Sequence, residues 1–213
     1  MGASEGLVGD LRAQLARGQA LVVVGAGVSV AASGASPVAS WPGLLESGVQ
    51  WCERYEPSLP AGWADLVRGF IGLGDVSSLL SAAEAVTERL GGRGGGEYHR
   101  WLRETVGALP LADAAVAQAV AALGAPVATT NYDGLLEQAM PGTGTLTWRD
   151  GARIQRVLRG DEKAVLHLHG YWDEPESVVL GIRSYEAVLG DAAAQALQRA
   201  MGSLSSLVLV GVG

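Results

Sequence analysis

Six short apolar runs punctuate the chain: ALVVVG (20–25), PVATT (126–130), TLTW (145–148), AVLHL (164–168), SVVLG (177–181) and LVLVG (207–211). Several are continuous rather than alternating, the pattern of strands covered on both faces of a parallel sheet. Between them the apolar positions recur at helical spacing. The pattern predicts helices over roughly 4–17, 42–55, 60–72, 75–90, 97–107, 111–123, 133–139, 150–159 and 184–203, the last one broken near Gly190. Strands alternating with helices predict a doubly wound α/β fold with a mostly parallel sheet.

One connection breaks the rhythm. From Gly25 to Pro126 no convincing strand occurs, whereas a strand–helix–strand unit takes roughly thirty residues. The expectation is one Rossmann-like domain over 1–213, with its core in about 1–35 and 124–213 and a helical insertion in about 36–123. Trp41, Trp51, Trp63 and Trp101 supply much of the insertion's apolar bulk, and GGRGGGE (91–97) reads as its loop. LVLVGVG closes the chain as a buried strand and its turn, so the chain is expected to be the N-terminal part of a longer protein.

Composition narrows the function classes. With 213 residues, 48% hydrophobic and 17% charged, and 31 glycines, the chain suits a packed α/β domain. A net charge of −7 argues against direct nucleic-acid binding, which needs a basic face. Cys52 is the only cysteine, so no intrachain disulfide forms and a reducing cytoplasm is the expected location. The N-terminus lacks the apolar core of a signal peptide, and the most apolar stretch, 20–35, is too short to span a bilayer.

The chemistry-bearing residues gather after strands. GAGVS (25–29), NYD (131–133), HG (169–170) and GVG (211–213) each follow an apolar run. In an open parallel sheet the carboxyl ends of the strands face one crevice, so these segments are expected to converge there. GAGVS reads equally as a phosphate cradle, through Gly25 and Gly27 at a helix start, or as a plain strand-to-helix turn. Val30 replaces the third glycine of the dinucleotide fingerprint. His167 and His169 share a strand face, but nothing nearby completes a metal set, so His167 reads as a hydrogen-bonded core histidine. His169, at the strand mouth, suits a general base. His99 reads as a surface residue. Arg149, Arg153, Arg156 and Arg159 could grip phosphate, but a solvated face paired with Asp150, Asp161 and Glu162 is the favoured reading. Ser29 has no flanking nucleophile elbow.

In order and approximate spacing, GAGVS, TTNYD, HLHG and the closing VLVG resemble the sirtuin family. SWPGLL (40–45), TNYD and DEPESVVLGIRSYEAVL (173–189) are most similar to the divergent prokaryotic branch found as effector domains in antiphage defence proteins. The resemblance implies an NAD site. Gly25, Ala26, Gly27 and Ser29 would cradle the pyrophosphate and adjoining ribose. Tyr132 and Asp133 would hold the nicotinamide carboxamide, and Gly211 would contact the adenosine half. Asn131 would orient a water or the nicotinamide ribose, and His169 would be the general base.

The departures from the family are equally informative. Its deacylases carry two Cys-x-x-Cys pairs for a structural zinc, and no such pairs exist here, so no metal is expected. The resemblance therefore implies NAD+ hydrolysis to nicotinamide and ADP-ribose, gated by homo-oligomerisation or by a C-terminal sensor. Two alternatives are an NAD-dependent deacylase with an unusual peptide cleft and a non-catalytic module that binds NAD or ADP-ribose.

Overall fold

A computed structural model describes residues 2–202, 204 and 206–212. Five strands, β1 (Ala20–Val24), β2 (Val127–Thr129), β3 (Gly144–Thr147), β4 (Ala164–His167) and β5 (Ser206–Val210), form one sheet in the order β3-β4-β2-β1-β5. Every pairing is parallel. The architecture is Rossmann-like α/β.

Both faces of the sheet are covered, which is why its central strands read as unbroken apolar runs. Alternate residues serve opposite layers. Val22, Val24, Val127 and Val165 pack beneath α2 (Ala26–Ala32), α7 (Ala115–Ala122) and α8 (Leu135–Ala139), through Val28, Val120 and Leu136. Leu21, Val23, Ala128 and Leu166 pack on the other face against Ile154 and Val157 of α9 (Gly151–Leu158) and Leu197 of α11 (Ala192–Gly202). The remaining helix before the sheet is α1 (Gly2–Ala16).

Between β1 and β2 the chain also forms α3 (Trp41–Tyr55), α4 (Trp63–Leu73), α5 (Val76–Arg89) and α6 (Gly96–Glu104). Their starts follow local chemistry. Ser40 accepts from the Gly43 N–H at the head of α3, where Pro42 sits in the first turn, and Asp75 accepts from the Ser78 N–H at the head of α5. Leu44, Leu45, Val49, Val86, Tyr98, Trp101 and Leu102 make a core of their own. Gly48 lets α3 approach closely, because a Cβ there would stand 2.5 Å from Val86 Cγ1.

The expected strand over 177–181 does not form. A short 3-10 turn covers Pro175–Ser177, residues 178–180 belong to no helix or strand, and α10 (Ile182–Leu189) follows. The alternation of apolar side chains is real but faces helices. Val178 and Leu180 enter the core of α3–α6, while Val179 enters the layer of α9 and α11. Its backbone is satisfied locally, with the Val179 N–H donating to His169 O at 2.7 Å and its carbonyl accepting from the Tyr132 hydroxyl at 2.9 Å. Trp148, expected inside β3, lies just past its end. Ser203, expected to end the last helix, and Gly213, expected in the final turn, lie outside the described residues.

The turns after β1 and β5 are in backbone contact. The Gly25 N–H donates to Val210 O and the Gly27 N–H to Gly211 O, both at 2.9 Å. A Cβ at Gly25 would stand 2.6 Å from Gly211 O and 2.9 Å from Val212 Cα. Gly211 itself has φ +62°, the left-handed region that glycine enters freely. Gly25→Ala is therefore expected to destabilise the protein by about 1–3 kcal/mol through overpacking of backbone against backbone. Gly69→Ala, in the exposed middle of α4 with nothing within 4 Å, is expected to stabilise it by about 0.5–1 kcal/mol. Denaturant unfolding of the two variants checks both signs.

Candidate functional site

The register of the sheet places the site. Val210, Val24, Thr129 and His167 stand side by side on neighbouring strands. The residues after that row therefore emerge along one edge: Gly25 from β1, Asn131 from β2, His169 from β4 and Gly211 from β5. Gly25, Ala26, Thr130, Asn131, Tyr132, Asp133, His169 and Val212 line a cavity there of about 380 Å³, within the range of small-molecule clefts. Segments over a hundred residues apart in the chain thus share one wall.

The rest of the lining comes from elements that spacing alone did not point to. Val38 and Ala39 of the 3-10 turn Pro37–Ala39, Ser40, Trp41 and Leu44 at the start of α3, Val76 of α5, Val106, and Tyr185 of α10 complete the lining. The strand ends, its floor, supply most of the cavity's polar side chains, and the other elements supply most of its apolar ones. Trp41 and Tyr185 lie within motifs that carried the family resemblance, but no periodicity in the sequence aims them at a ligand.

Asn131 is the most constrained residue on the floor. Its side-chain Nδ2 donates to Gly25 O at 3.0 Å and to Ser29 Oγ at 2.6 Å. An amide nitrogen has two hydrogens, and both are now engaged. Oδ1 is the atom left to face the cavity, and it can only accept. Ser29 Oγ in turn donates to Asp133 Oδ2 at 2.7 Å, and Asp133 Oδ1 accepts from the Leu135 N–H at 3.1 Å. The polarity of the chain is thereby fixed from amide to hydroxyl to carboxylate.

Ser29, Gly27 and Gly211 do not line the cavity. Ser29 is buried behind Asn131, and the Gly27 N–H is engaged by Gly211 O. Contact with the β5 turn requires glycine at 25 and leaves little room for a side chain at 27, whatever else binds there. Tyr132 lines the cavity with its hydroxyl already engaged. Its phenol donates to Val179 O, and burial holds its pKa well above the ordinary tyrosine value, so the hydroxyl stays protonated and engaged.

His169 stands half-buried in the cavity wall with its ring edge-on to Tyr185, centroids 5.6 Å apart. Burial lowers its pKa from 6.5, which favours the neutral imidazole at pH 7. His167, fully buried, is hydrogen-bonded within the fold as the core-histidine reading expects, with Nδ1 at 2.9 Å from Asn131 O and Nε2 at 2.8 Å from Glu137 Oε1. The arginines of 149–159 are paired at the surface with Glu174, Glu176, Glu162 and Asp161, partly different acids from those expected. His99 is exposed, with Nε2 2.9 Å from Arg93 O.

Among the described residues no group of three or more His, Cys, Asp or Glu side chains could hold a metal ion, and no helix is long and apolar enough to cross a membrane. Cys52 is buried in the core of α3–α6, and burial pushes its thiol up to about 12.

Asp133 titrates above the ordinary carboxylate value of 3.8, chiefly because of burial and against the pull of the Ser29 hydroxyl. Its native state therefore holds a proton more readily than its unfolded state. In the window above 3.8, stability falls as the pH rises. Ser29→Ala removes a donor from this buried carboxylate and an acceptor from Asn131. The variant is expected to lose about 1–3 kcal/mol of stability at neutral pH. The loss should shrink as acid protonates Asp133, and chemical denaturation at a series of pH values measures the difference.

A family model described as a SIR2-like domain matches residues 126–213. That stretch contains β2 to β5 and Asn131, Tyr132, Asp133, His169 and Gly211. The match supports a sirtuin-like family and is consistent with a protein that uses NAD. Over four of the five strands, this chain is similar to the SIR2-like domains.

Proposed function

We propose that this protein hydrolyses NAD+ at the nicotinamide–ribose bond, giving nicotinamide and ADP-ribose. The observation that carries the reading is the fixed orientation of Asn131. With both Nδ2 hydrogens engaged by Gly25 O and Ser29 Oγ, Oδ1 presents a lone pair to a cavity that also holds a neutral imidazole. An acceptor of that kind takes a hydrogen from water and leaves the water's own lone pair free for attack.

The chemistry follows from charge. Loss of nicotinamide from the ribose develops positive charge at the anomeric carbon. Water bound to Asn131 Oδ1 attacks that carbon, the C–N bond breaks, and nicotinamide leaves with the bonding pair. His169 takes the proton of the attacking water, directly or through the ribose hydroxyls, and returns it to solvent. Water and NAD+ become nicotinamide, ADP-ribose and a proton.

Gly25 and Ala26, backed by the contact between Gly27 and Gly211, bring backbone close to the pyrophosphate and adenosine half in this reading. Ser29 acts from behind by holding Asn131. Tyr132 and Asp133 shape the nicotinamide end, Asp133 through the turn it fixes. The apolar side chains of Val38, Ala39, Trp41 and Leu44 line the same cavity and lower the polarity around its contacts. An activity that depletes NAD is toxic unless gated. The motifs shared with prokaryotic antiphage effectors support a defence role, with gating by self-association or by a sensor region of a longer protein.

Turnover of NAD+ by the full-length protein, followed by nicotinamide release, tests the proposal. His169→Ala is expected to lower kcat by about 10²–10⁴, equivalent to about 3–5 kcal/mol of transition-state stabilisation. Asn131→Ala should lose activity comparably. Wild-type activity in both variants would refute the assignment.

A pH profile adds a second check. Because burial lowers the His169 pKa from 6.5, the base stays neutral further into acid. The acidic limb of kcat/KM is expected to fall below pH 6.5, and to vanish from the residual activity of His169→Ala. The same shift makes stability full above 6.5 and progressively lost as the pH falls through the window beneath it.

A further inference from the structure

Asn131 can aim its amide only if its main chain is held, yet no regular structure holds it. β2 ends at Thr129, and residues 130–134 belong to no helix or strand. Two side-chain contacts replace the missing ladder. The Asn131 N–H donates to Thr129 Oγ1 at 3.0 Å, and the Asn131 carbonyl faces His167 Nδ1 at 2.9 Å. A carbonyl accepts and never donates, so Nδ1 carries a hydrogen.

The imidazole is itself steered. Its Nε2 lies 2.8 Å from Glu137 Oε1, which also accepts from Thr145 Oγ1 at 3.0 Å. Tyr171 meets the ring edge-on, with centroids 4.8 Å apart. His167 is fully buried, and β4 sets it beside Thr129, two residues before Asn131. Glu137 Oε2 is buried without a hydrogen-bond partner. A buried carboxylate with one unpaired oxygen is an expensive neighbour for a residue that only fills space.

We propose that His167 is a positioning residue of the site: steered by Glu137, its Nδ1–H clamps the Asn131 carbonyl and so sets where Oδ1 points. The inference rests on the hydrolytic reading above and deepens it, since Asn131 is the group that orients the water there. His167 touches no substrate in this account. A leucine at this position would fill the volume but let the turn rotate. Asparagine would restore a donor close to the Nδ1 position.

Full-length wild type, His167→Leu and His167→Asn are compared by NAD+ turnover and by NMR exchange of the Asn131 side-chain amide hydrogens. His167→Leu is expected to lower kcat about 100-fold while KM stays within about threefold, the signature of a misplaced group rather than lost binding. Its Asn131 amide hydrogens should exchange at least about tenfold faster. His167→Asn should recover most of both. If His167→Leu does not fold, Glu137→Ala leaves the imidazole in place but unsteered, and should shift both readouts in the same direction by about tenfold. Equal loss in the Leu and Asn variants, or unchanged kcat and exchange in a folded His167→Leu, overturns the clamp and leaves NAD+ hydrolysis standing. A wild type that never cleaves NAD+, with exchange still separating Leu from Asn, removes the hydrolytic reading and leaves the clamp.

Discussion

The site depends on the register of a parallel sheet. Val210, Val24, Thr129 and His167 lie in one row across β5, β1, β2 and β4, so the segments following them leave the sheet at the same height. A slip of one residue in any strand would turn its side chains to the other face. It would also withdraw one of Gly25, Asn131 or His169 from the cavity. The continuous burial of β1 against two layers of helix makes such a slip costly. Core packing and site geometry are therefore the same constraint.

On that frame sits a polar network with fixed direction. Asn131 donates to Gly25 O and to Ser29, Ser29 donates to Asp133, and Asp133 accepts from the Leu135 N–H. These groups are buried, where each unmade hydrogen bond costs about 1–3 kcal/mol. A stable core alone would be simpler with apolar residues at these positions. The network instead defines one orientation for one amide, in the loop where secondary structure gives no help. Burial then acts on the titratable groups beside it, raising Asp133 and lowering His169.

The helical layer between β1 and β2 contributes in a different way. Its core of Leu45, Val86, Trp101 and their neighbours is independent of the sheet faces but takes in Leu135, Val178 and Leu180 from beyond β2. The start of α3 is thereby held against the strand-end cavity, which Trp41 and Leu44 help to line. Val178 and Leu180 show how local pattern can mislead. Their alternation with Val179 suits a strand, but two different helical layers receive the two sides.

The sequence by itself determined the fold class, because continuous apolar runs, helical spacing and glycine turns are local and carry their physics in adjacent residues. It also placed Asn131, His169 and the glycines directly after apolar runs, where the strand ends of an open parallel sheet face one crevice. Only the tertiary structure decided which of them meet in the cavity, that Ser29 and Gly27 stand behind it, and that Trp41 and Tyr185 complete it. Hydrogen-bond direction and the choice of packing partner are relations between distant segments. No window of sequence contains both ends of the contact from His167 to Asn131, or from Asn131 to Gly25.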